Sequence, residues 1–310
     1  MAEQRTARLG LNTPEDLAQG LRRVDYLPDL KIATAVFLAL ALEKPLLLEG
    51  DAGVGKTELA LALARLFGSD LIRLQCYEGI DSTQAVYDWD YAKQLLHLRA
   101  TEATGVATDR SSLEAELYQD RYLVERPLLR SLGYQDPAHP PILLIDELDR
   151  ADDEFEAFLL ELLSTFEITI PELGTRSATV RPIVILTSNR TRDLHDALKR
   201  RCLYLWVDHP SFEREVAIIR LRAPEASERV VTQVGALVQE LRTQGLVKPP
   251  GIAEAIDWAM ALARLMATEV TPEWLEMTLG AVVKFREDEE RLAGIGVSTL
   301  FKQAFARFEE

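Results

Sequence analysis

The stretch Gly50-Asp51-Ala52-Gly53-Val54-Gly55-Lys56-Thr57 has the spacing G-x-x-x-x-G-K-[ST]. It lies between the apolar run Leu46-Leu47-Leu48 and the helix-like Glu58-Leu59-Ala60-Leu61-Ala62. A glycine-rich turn between strand and helix can aim backbone N–H groups at a phosphate, and the helix N-terminus behind it adds partial positive charge. Lys56 is then placed to reach β- and γ-phosphates, and the Thr57 hydroxyl to bind Mg²⁺. With Glu58 beside them, these residues form a candidate binding set for a nucleoside triphosphate.

A second group stands about 90 residues further on, at Pro141-Ile142-Leu143-Leu144-Ile145-Asp146-Glu147. Four aliphatic residues predict a strand buried on both faces, with two carboxylates emerging at its C-terminal end. In open α/β sheets that end borders the ligand crevice. Asp146 suits Mg²⁺, through water, and Glu147 suits a base that orients and deprotonates the attacking water. A further buried strand, Pro182–Leu186, runs into Thr187-Ser188-Asn189-Arg190. The Asn189 amide fits a group that senses phosphate; its alternative role is to cap the next helix or turn. Lys199-Arg200-Arg201 ends a short helical stretch, where basic residues either complement the helix dipole or offer an arginine to a neighbouring subunit's γ-phosphate.

The elements that must hold these groups read in order. Thr13-Pro14-Glu15-Asp16 starts a helix after a polar lead, and Lys31–Glu43 is a mostly buried helix stopped before Pro45. Leu46–Glu49 is a strand, Lys56–Phe67 a helix and Leu71–Leu74 a strand, a βαβ pattern that implies a parallel sheet. The segment from about 77 to 140 interrupts the alternation. There Asp81 caps a helix whose face is Ala85, Trp89, Ala92 and Leu96, Thr101–Ser112 is a loop, and Leu113–Leu132 is helical. This insertion serves either extra packing or a partner surface. Asp153–Phe166 is a helix, and Glu167–Ile170 with Thr175–Val180 make a hairpin around Pro171-Glu172-Leu173-Gly174. Leu194–Arg201 is a short helix and Leu203–Val207 a last strand. From Pro210 only helical periodicity remains, carried by Val230, Val234, Leu237, Val238 and Leu241, then Ile252, Ile256, Ala259, Ala263 and Met266, then Phe301, Phe305 and Phe308. A second, helical domain therefore begins near Ser211.

Composition narrows the class. Of 310 residues, 47% are hydrophobic and 27% charged, which fits a globular protein. No apolar stretch follows Met1-Ala2-Glu3-Gln4-Arg5, so no signal peptide is expected, and Ile32–Leu42 is too short to span a membrane. Cys76 and Cys202 have no metal-binding spacing and read as reduced cysteines of a cytoplasmic protein. His97, His139, His195 and His209 are scattered and predict no metal centre. A net charge of −15 disfavours general nucleic-acid binding. Trp89 and Tyr91 read as core residues, with a binding surface as the alternative.

The order of phosphate loop, Asp146-Glu147, Asn189, basic helix end and C-terminal helices resembles the AAA+ ATPases. Within them the hairpin between the Glu147 helix and the Asn189 strand resembles the MoxR family. Arg73-Leu74-Gln75-Cys76-Tyr77-Glu78-Gly79, Ile168–Gly174 and Leu198–Leu205 are similar to its CoxD-like branch. The resemblance covers roughly Leu27 to Met266. It implies an α/β fold: a three-layer αβα AAA+ core with a parallel central sheet over 27–210, then a smaller helical lid domain over 211–310, with 1–26 as a lead. It also implies ATP and Mg²⁺ as cofactors and a hexameric ring with ATP at subunit boundaries. The implied work is remodelling or maturation of a protein client, often with a von Willebrand factor A partner; in the CoxD-like branch the client is a molybdenum-containing dehydrogenase. By position Lys56 and Thr57 fall in Walker A, Asp146 and Glu147 in Walker B, and Asn189 at sensor 1. Arg201 fits the arginine finger, with Arg200 as the alternate. The chain departs from the pattern at sensor 2, where Lys248-Pro249-Pro250-Gly251-Ile252-Ala253-Glu254 has no Arg; either Lys248 substitutes or the lid senses nucleotide less directly. Two other classes stay open: a nucleic-acid or restriction-type NTPase, and a P-loop phosphotransferase acting on a small molecule.

Overall fold

The structure is a computed structural model and describes residues 2–103 and 115–306. Contacts divide the chain into two units. The first comprises Met1–Gly20, Asp29–Glu49 and Ala60–Leu205, and the second Leu21–Pro28, Gly50–Leu59 and Trp206–Glu310.

In the first unit the strands are β1 (Leu46–Glu49), β2 (Leu71–Gln75), β3 (Tyr87–Trp89), β4 (Leu123–Glu125), β5 (Ile142–Asp146), β6 (Glu167–Ile170), β7 (Gly174–Ser177), β8 (Ile183–Ser188) and β9 (Leu203–Trp206, whose last residue belongs to the second unit). The central sheet has the order β2-β5-β8-β1-β9. The pairs β2–β5, β5–β8 and β8–β1 run parallel, so their C-terminal ends share one edge. Every residue of β1, β5 and β8 is buried, as expected for strands covered on both faces. Leu143, Ile145, Val184 and Leu186 pack with Phe155, Leu159 and Leu162 of the helix Asp153–Thr165. Each such side chain contributes about 1.5–3 kcal/mol by leaving water. That helix is started by Asp152, whose carboxylate accepts from the Phe155 N–H at 2.9 Å. It stops at Phe166, which takes left-handed backbone angles and leads straight into β6.

The hairpin forms as read, with Glu167 opposite Ser177 and Ile170 opposite Gly174. Its second strand ends at Ser177, short of Val180. The insertion differs more. The helix expected from Asp81 ends at Val86, because Tyr87-Asp88-Trp89 pairs antiparallel with Leu123-Val124-Glu125. A new helix then runs Tyr91–Ala103, with the Asp90 carboxylate accepting from the Lys93 N–H at 3.0 Å. The helix read over Leu113–Leu132 is likewise broken. A 3₁₀ turn at Asp120–Tyr122 and β4 precede a helix Pro127–Leu132. Pro127 has no N–H and suits a helix start, not its middle. The first residues of the expected loop, 101–103, belong instead to the helix Tyr91–Ala103; residues 104–112 of the loop, and 113–114 of the expected helix, lie outside the described residues. Trp89 is a core residue of β3, edge-on to Tyr118 at 5.2 Å, whereas Tyr91 is exposed.

In the second unit the helices Phe212–Arg222, Glu228–Thr243, Ile252–Arg264, Pro272–Thr278, Arg286–Ile295 and Val297–Ala306 enclose Trp258, which is 0% exposed. Val230, Val234, Leu237, Val238, Leu241, Ile252 and Ala259 all enter this core. Met266 does not; it follows the helix end at Arg264 with a positive φ of 57° and stands exposed. The rings of Phe301 and Phe305 meet at a tilt, with centroids 4.6 Å apart, and Phe308 lies outside the described residues. No described helix is long and apolar enough to cross a membrane.

Candidate active site

The loop Gly50–Gly55 leaves β1 and enters the helix Lys56–Phe67. Gly53 and Gly55 have φ of +80° and +93°, a region that side chains with a Cβ rarely adopt, so the two glycines permit the turn. The Lys56 ammonium donates to the carbonyls of Gly50 and Asp51 at 2.7 and 2.8 Å, which holds it over the loop. Within the second unit the loop and the helix start carry two further links. Asp51 lies 3.4 Å from His209, and Glu58 lies 3.4 Å from Arg222. Burial, with the Arg242 guanidinium nearby, holds the His209 imidazole below its ordinary pKa despite the opposing Asp51 carboxylate.

In the first unit the acidic pair stands at the end of β5. Asp146 is 2% exposed and opposite Gln75 of β2 in the strand register. Its carboxylate accepts from the Thr187 hydroxyl at 2.6 Å and from the Arg73 guanidinium at 2.6 Å. The Thr187 hydroxyl in turn accepts from the Glu147 N–H at 2.9 Å, so one β8 side chain joins both acidic residues. Glu147 has φ 55° and ψ 49°, a left-handed conformation costing about 1–3 kcal/mol for a residue with a side chain. That turn sends its carboxylate off the strand. There it accepts from Gln75 at 3.1 Å and pairs with Arg150 at 2.8 Å.

Beside β8, the buried Asp149 carboxylate accepts from the Asn189 N–H at 3.1 Å and the Thr191 N–H at 2.9 Å, and from the Thr191 hydroxyl at 2.7 Å. Burial pushes the Asp149 pKa up, but the Thr191 and Asn189 hydrogen bonds outweigh it and hold the carboxyl below its ordinary value. Asn189 is thereby fixed at the tip of β8, half-buried, and it caps no helix, since the next begins at Asp196. Cys76 is also locked here: its N–H donates to the Asp146 carbonyl at 2.9 Å. Burial, with Asp146, Asp149 and Glu147 around it, pushes the Cys76 thiol up to about 12. Burial does the same to Cys202, at the start of β9, again to about 12.

Asp146, Glu147 and Asn189 thus share one sheet edge. The basic run ends the helix Asp196–Arg201 with other partners. Lys199 lies 3.8 Å from buried Glu49, and the exposed Arg201 donates to the Leu160 carbonyl, while Arg200 is exposed. Arg73, Gln75, Thr187, Asp149 and Arg150 are site residues that sequence reasoning missed. A signal existed for two of them. Arg73 and Gln75 alternate with buried Ile72 and Leu74 on β2 and so share one face.

No cluster of three or more His, Cys, Asp or Glu suited to a metal occurs among the described residues. Mg²⁺ needs none, since it commonly takes one or two carboxylates, waters and substrate phosphates. Asp146 has the right donor chemistry, and its carboxylate already holds a cation, Arg73, at 2.6 Å. Thr187→Val tests the junction between the acidic residues. It removes the donor to Asp146 and the acceptor for the Glu147 N–H. Urea unfolding is expected to show a loss of roughly 1–3 kcal/mol.

Comparison with known proteins adds four findings. A short stretch is 41% identical over 59 residues to Midasin of Giardia intestinalis, covering 19% of this chain and 1% of that protein. The chain thus spans only a small fraction of that relative. The Thermotoga maritima RuvB Holliday junction branch migration motor aligns over 86% of this chain and 68% of its own, with 15% identity and a TM-score of 0.45. A point mutant of the same motor aligns over 84% and 68%, with the same identity and TM-score. Residues 45–202, which run from the edge of β1 to the end of the basic helix, match the AAA domain (dynein-related subfamily), and the chain belongs to that family.

Proposed function

We propose that this chain is an ATP-hydrolysing AAA+ motor that remodels or matures a protein client. The observation that carries the reading is the Asp146–Thr187–Glu147 junction at the end of β5, in a chain whose β1 runs into a phosphate loop. Gly50–Glu58 bind the triphosphate, with backbone N–H groups and Lys56 on the phosphates. Thr57 and Asp146, the latter through water, would hold Mg²⁺, which supplies charge neutralisation on the phosphate oxygens. Glu147 orients the attacking water and takes its proton. Its left-handed turn and the Gln75 and Arg150 contacts set where that carboxylate points. Asn189, held by Asp149 at the neighbouring strand tip, positions water and senses the γ-phosphate. Residues 211–310 act as the lid.

In this reading the subunits assemble into a hexameric ring, and Arg201, or Arg200 beside it, completes the site of the next subunit. The partner is a von Willebrand factor A protein and the client a molybdenum-type metalloenzyme. The support for both is the local wording of Arg73–Gly79, Ile168–Gly174 and Leu198–Leu205. Light scattering with Mg²⁺ and ATP is expected to give a mass of six chains. A monomer under conditions where Glu147→Gln retains ATP would sink the ring. For the client, Glu147→Gln is the ATP-locked trap, and a von Willebrand factor A protein or molybdoenzyme is expected to co-purify with it.

A further inference from the structure

The segment Lys248–Glu254 has no arginine to report on a phosphate, yet within the second unit it touches the phosphate loop by its backbone. The Ile252 N–H, at the start of the helix Ile252–Arg264, donates to the Gly53 carbonyl at 3.0 Å. A Cβ placed on Gly251 would lie 2.8 Å from both the Cα and the carbonyl oxygen of Gly53. Gly251 itself has φ −82°, which any residue adopts, so the loop and not its own backbone demands a glycine there. The Glu254 carboxylate accepts from the Gly251 N–H at 3.1 Å and fixes the peptide that makes the contact.

Buried charges hold this segment from behind. Arg242 donates to the Pro250 carbonyl at 2.7 Å while gripping the buried Glu215 carboxylate at 2.6 and 2.8 Å. The N–H groups of Val247 and Lys248 donate to buried Asp288 at 2.6 and 3.1 Å. Because a trans peptide directs its C=O and N–H to opposite sides, anchoring the Gly53 carbonyl on Ile252 turns the Val54 N–H the other way. Val54 lies in the run whose N–H groups a phosphate loop offers to phosphate.

The geometry points to Gly251 and Ile252 as positioning residues for nucleotide binding: a backbone clasp on Gly53 that presets the Val54 N–H and makes this helix respond to phosphate occupancy. This rests on the reading that Gly50–Glu58 bind a nucleotide. Linkage requires the effect to be mutual: if the clasp tightens phosphate binding, bound phosphate tightens the clasp by the same factor. Both ADP and ATP place phosphates in the loop, so the clasp answers to either.

The test uses the full chain and fluorescent ADP and ATP analogues. Gly251→Ala is expected to weaken both about tenfold, and affinities within twofold of the natural chain would overturn the proposal. A second measurement needs no variant. In the natural chain, saturating ADP is expected to slow hydrogen exchange at the Ile252 amide several-fold, a coupling that a merely structural glycine would not produce. An unchanged Ile252 rate under saturation would also overturn the clasp. A natural chain that binds neither analogue would overturn the nucleotide reading and the clasp together, whereas normal binding with an indifferent Gly251→Ala removes the clasp alone.

Discussion

Glu147→Gln is expected to reduce ATP turnover about 10²- to 10⁴-fold, the range for losing a positioned general base, while ATP affinity stays within a few-fold of the natural chain. The substitution keeps the shape of the side chain. An amide oxygen at 147 can still accept from Gln75 and Arg150, which lie 3.1 and 2.8 Å from the carboxylate. The left-handed turn is untouched, because it depends on the backbone and on the Glu147 N–H bond to Thr187. The lost ion pair is partly exposed and contributes at most about 1 kcal/mol. Folding therefore survives, and what disappears is the group able to accept a proton from water. Phosphate release and equilibrium nucleotide binding, measured on the same preparation, separate these effects. Turnover within threefold of the natural chain would assign the base elsewhere.

Arg201→Ala is expected to cost about 10³-fold or more in turnover, the scale of a guanidinium that neutralises charge developing on a transferred phosphoryl group. Nucleotide binding should persist. Within its own chain Arg201 is exposed and donates to the Leu160 carbonyl, a surface hydrogen bond worth about 1 kcal/mol, so the fold has little at stake. The decisive step is a mixture with Lys56→Ala. A Lys56→Ala subunit has lost its nucleotide but keeps Arg201, and an Arg201→Ala subunit keeps its nucleotide but lacks the arginine. In the proposed ring, the two side by side would rebuild one complete site, and ATPase should reappear in proportion to mixed neighbours. No rescue at any ratio would leave Arg201 acting inside its own subunit or only structurally. The same series on Arg200 decides between the two.

What the sequence discloses here follows the range of the interactions involved. Leu46–Glu49, Ile142–Asp146 and Ile183–Ser188 are continuous apolar runs ending in polar groups, and each is legible because burial on both faces and a change at the strand tip are local properties. The hairpin is legible for the same reason, from its Pro/Gly turn. β3 is not. Tyr87-Asp88-Trp89 becomes a strand only because Leu123–Glu125 pairs with it, and no helical periodicity can reveal a partner that distant in sequence. The site divides in the same way. Asp146, Glu147 and Asn189 announce themselves at strand ends. Arg73, Thr187 and Asp149 gain their places from strand register and from hydrogen bonds spanning 40 or more residues.

Cys76 and Cys202 flank the central sheet from opposite sides, one just after edge strand β2 and the other just before edge strand β9. With thiol pKa values pushed to about 12, the thiolate fraction at pH 7 is on the order of 10⁻⁵. Alkylating reagents and peroxide attack thiolates, so both positions are expected to react slowly in the folded first unit. Both sulfurs are buried, at 1% and 8% exposure, so opening of the adjoining margin of the sheet is expected to speed their alkylation. The natural chain thus carries two built-in clocks for local unfolding, one beside the acidic pair and one beside the basic helix. Rates of alkylation at the two thiols can be compared without adding a label or changing a residue.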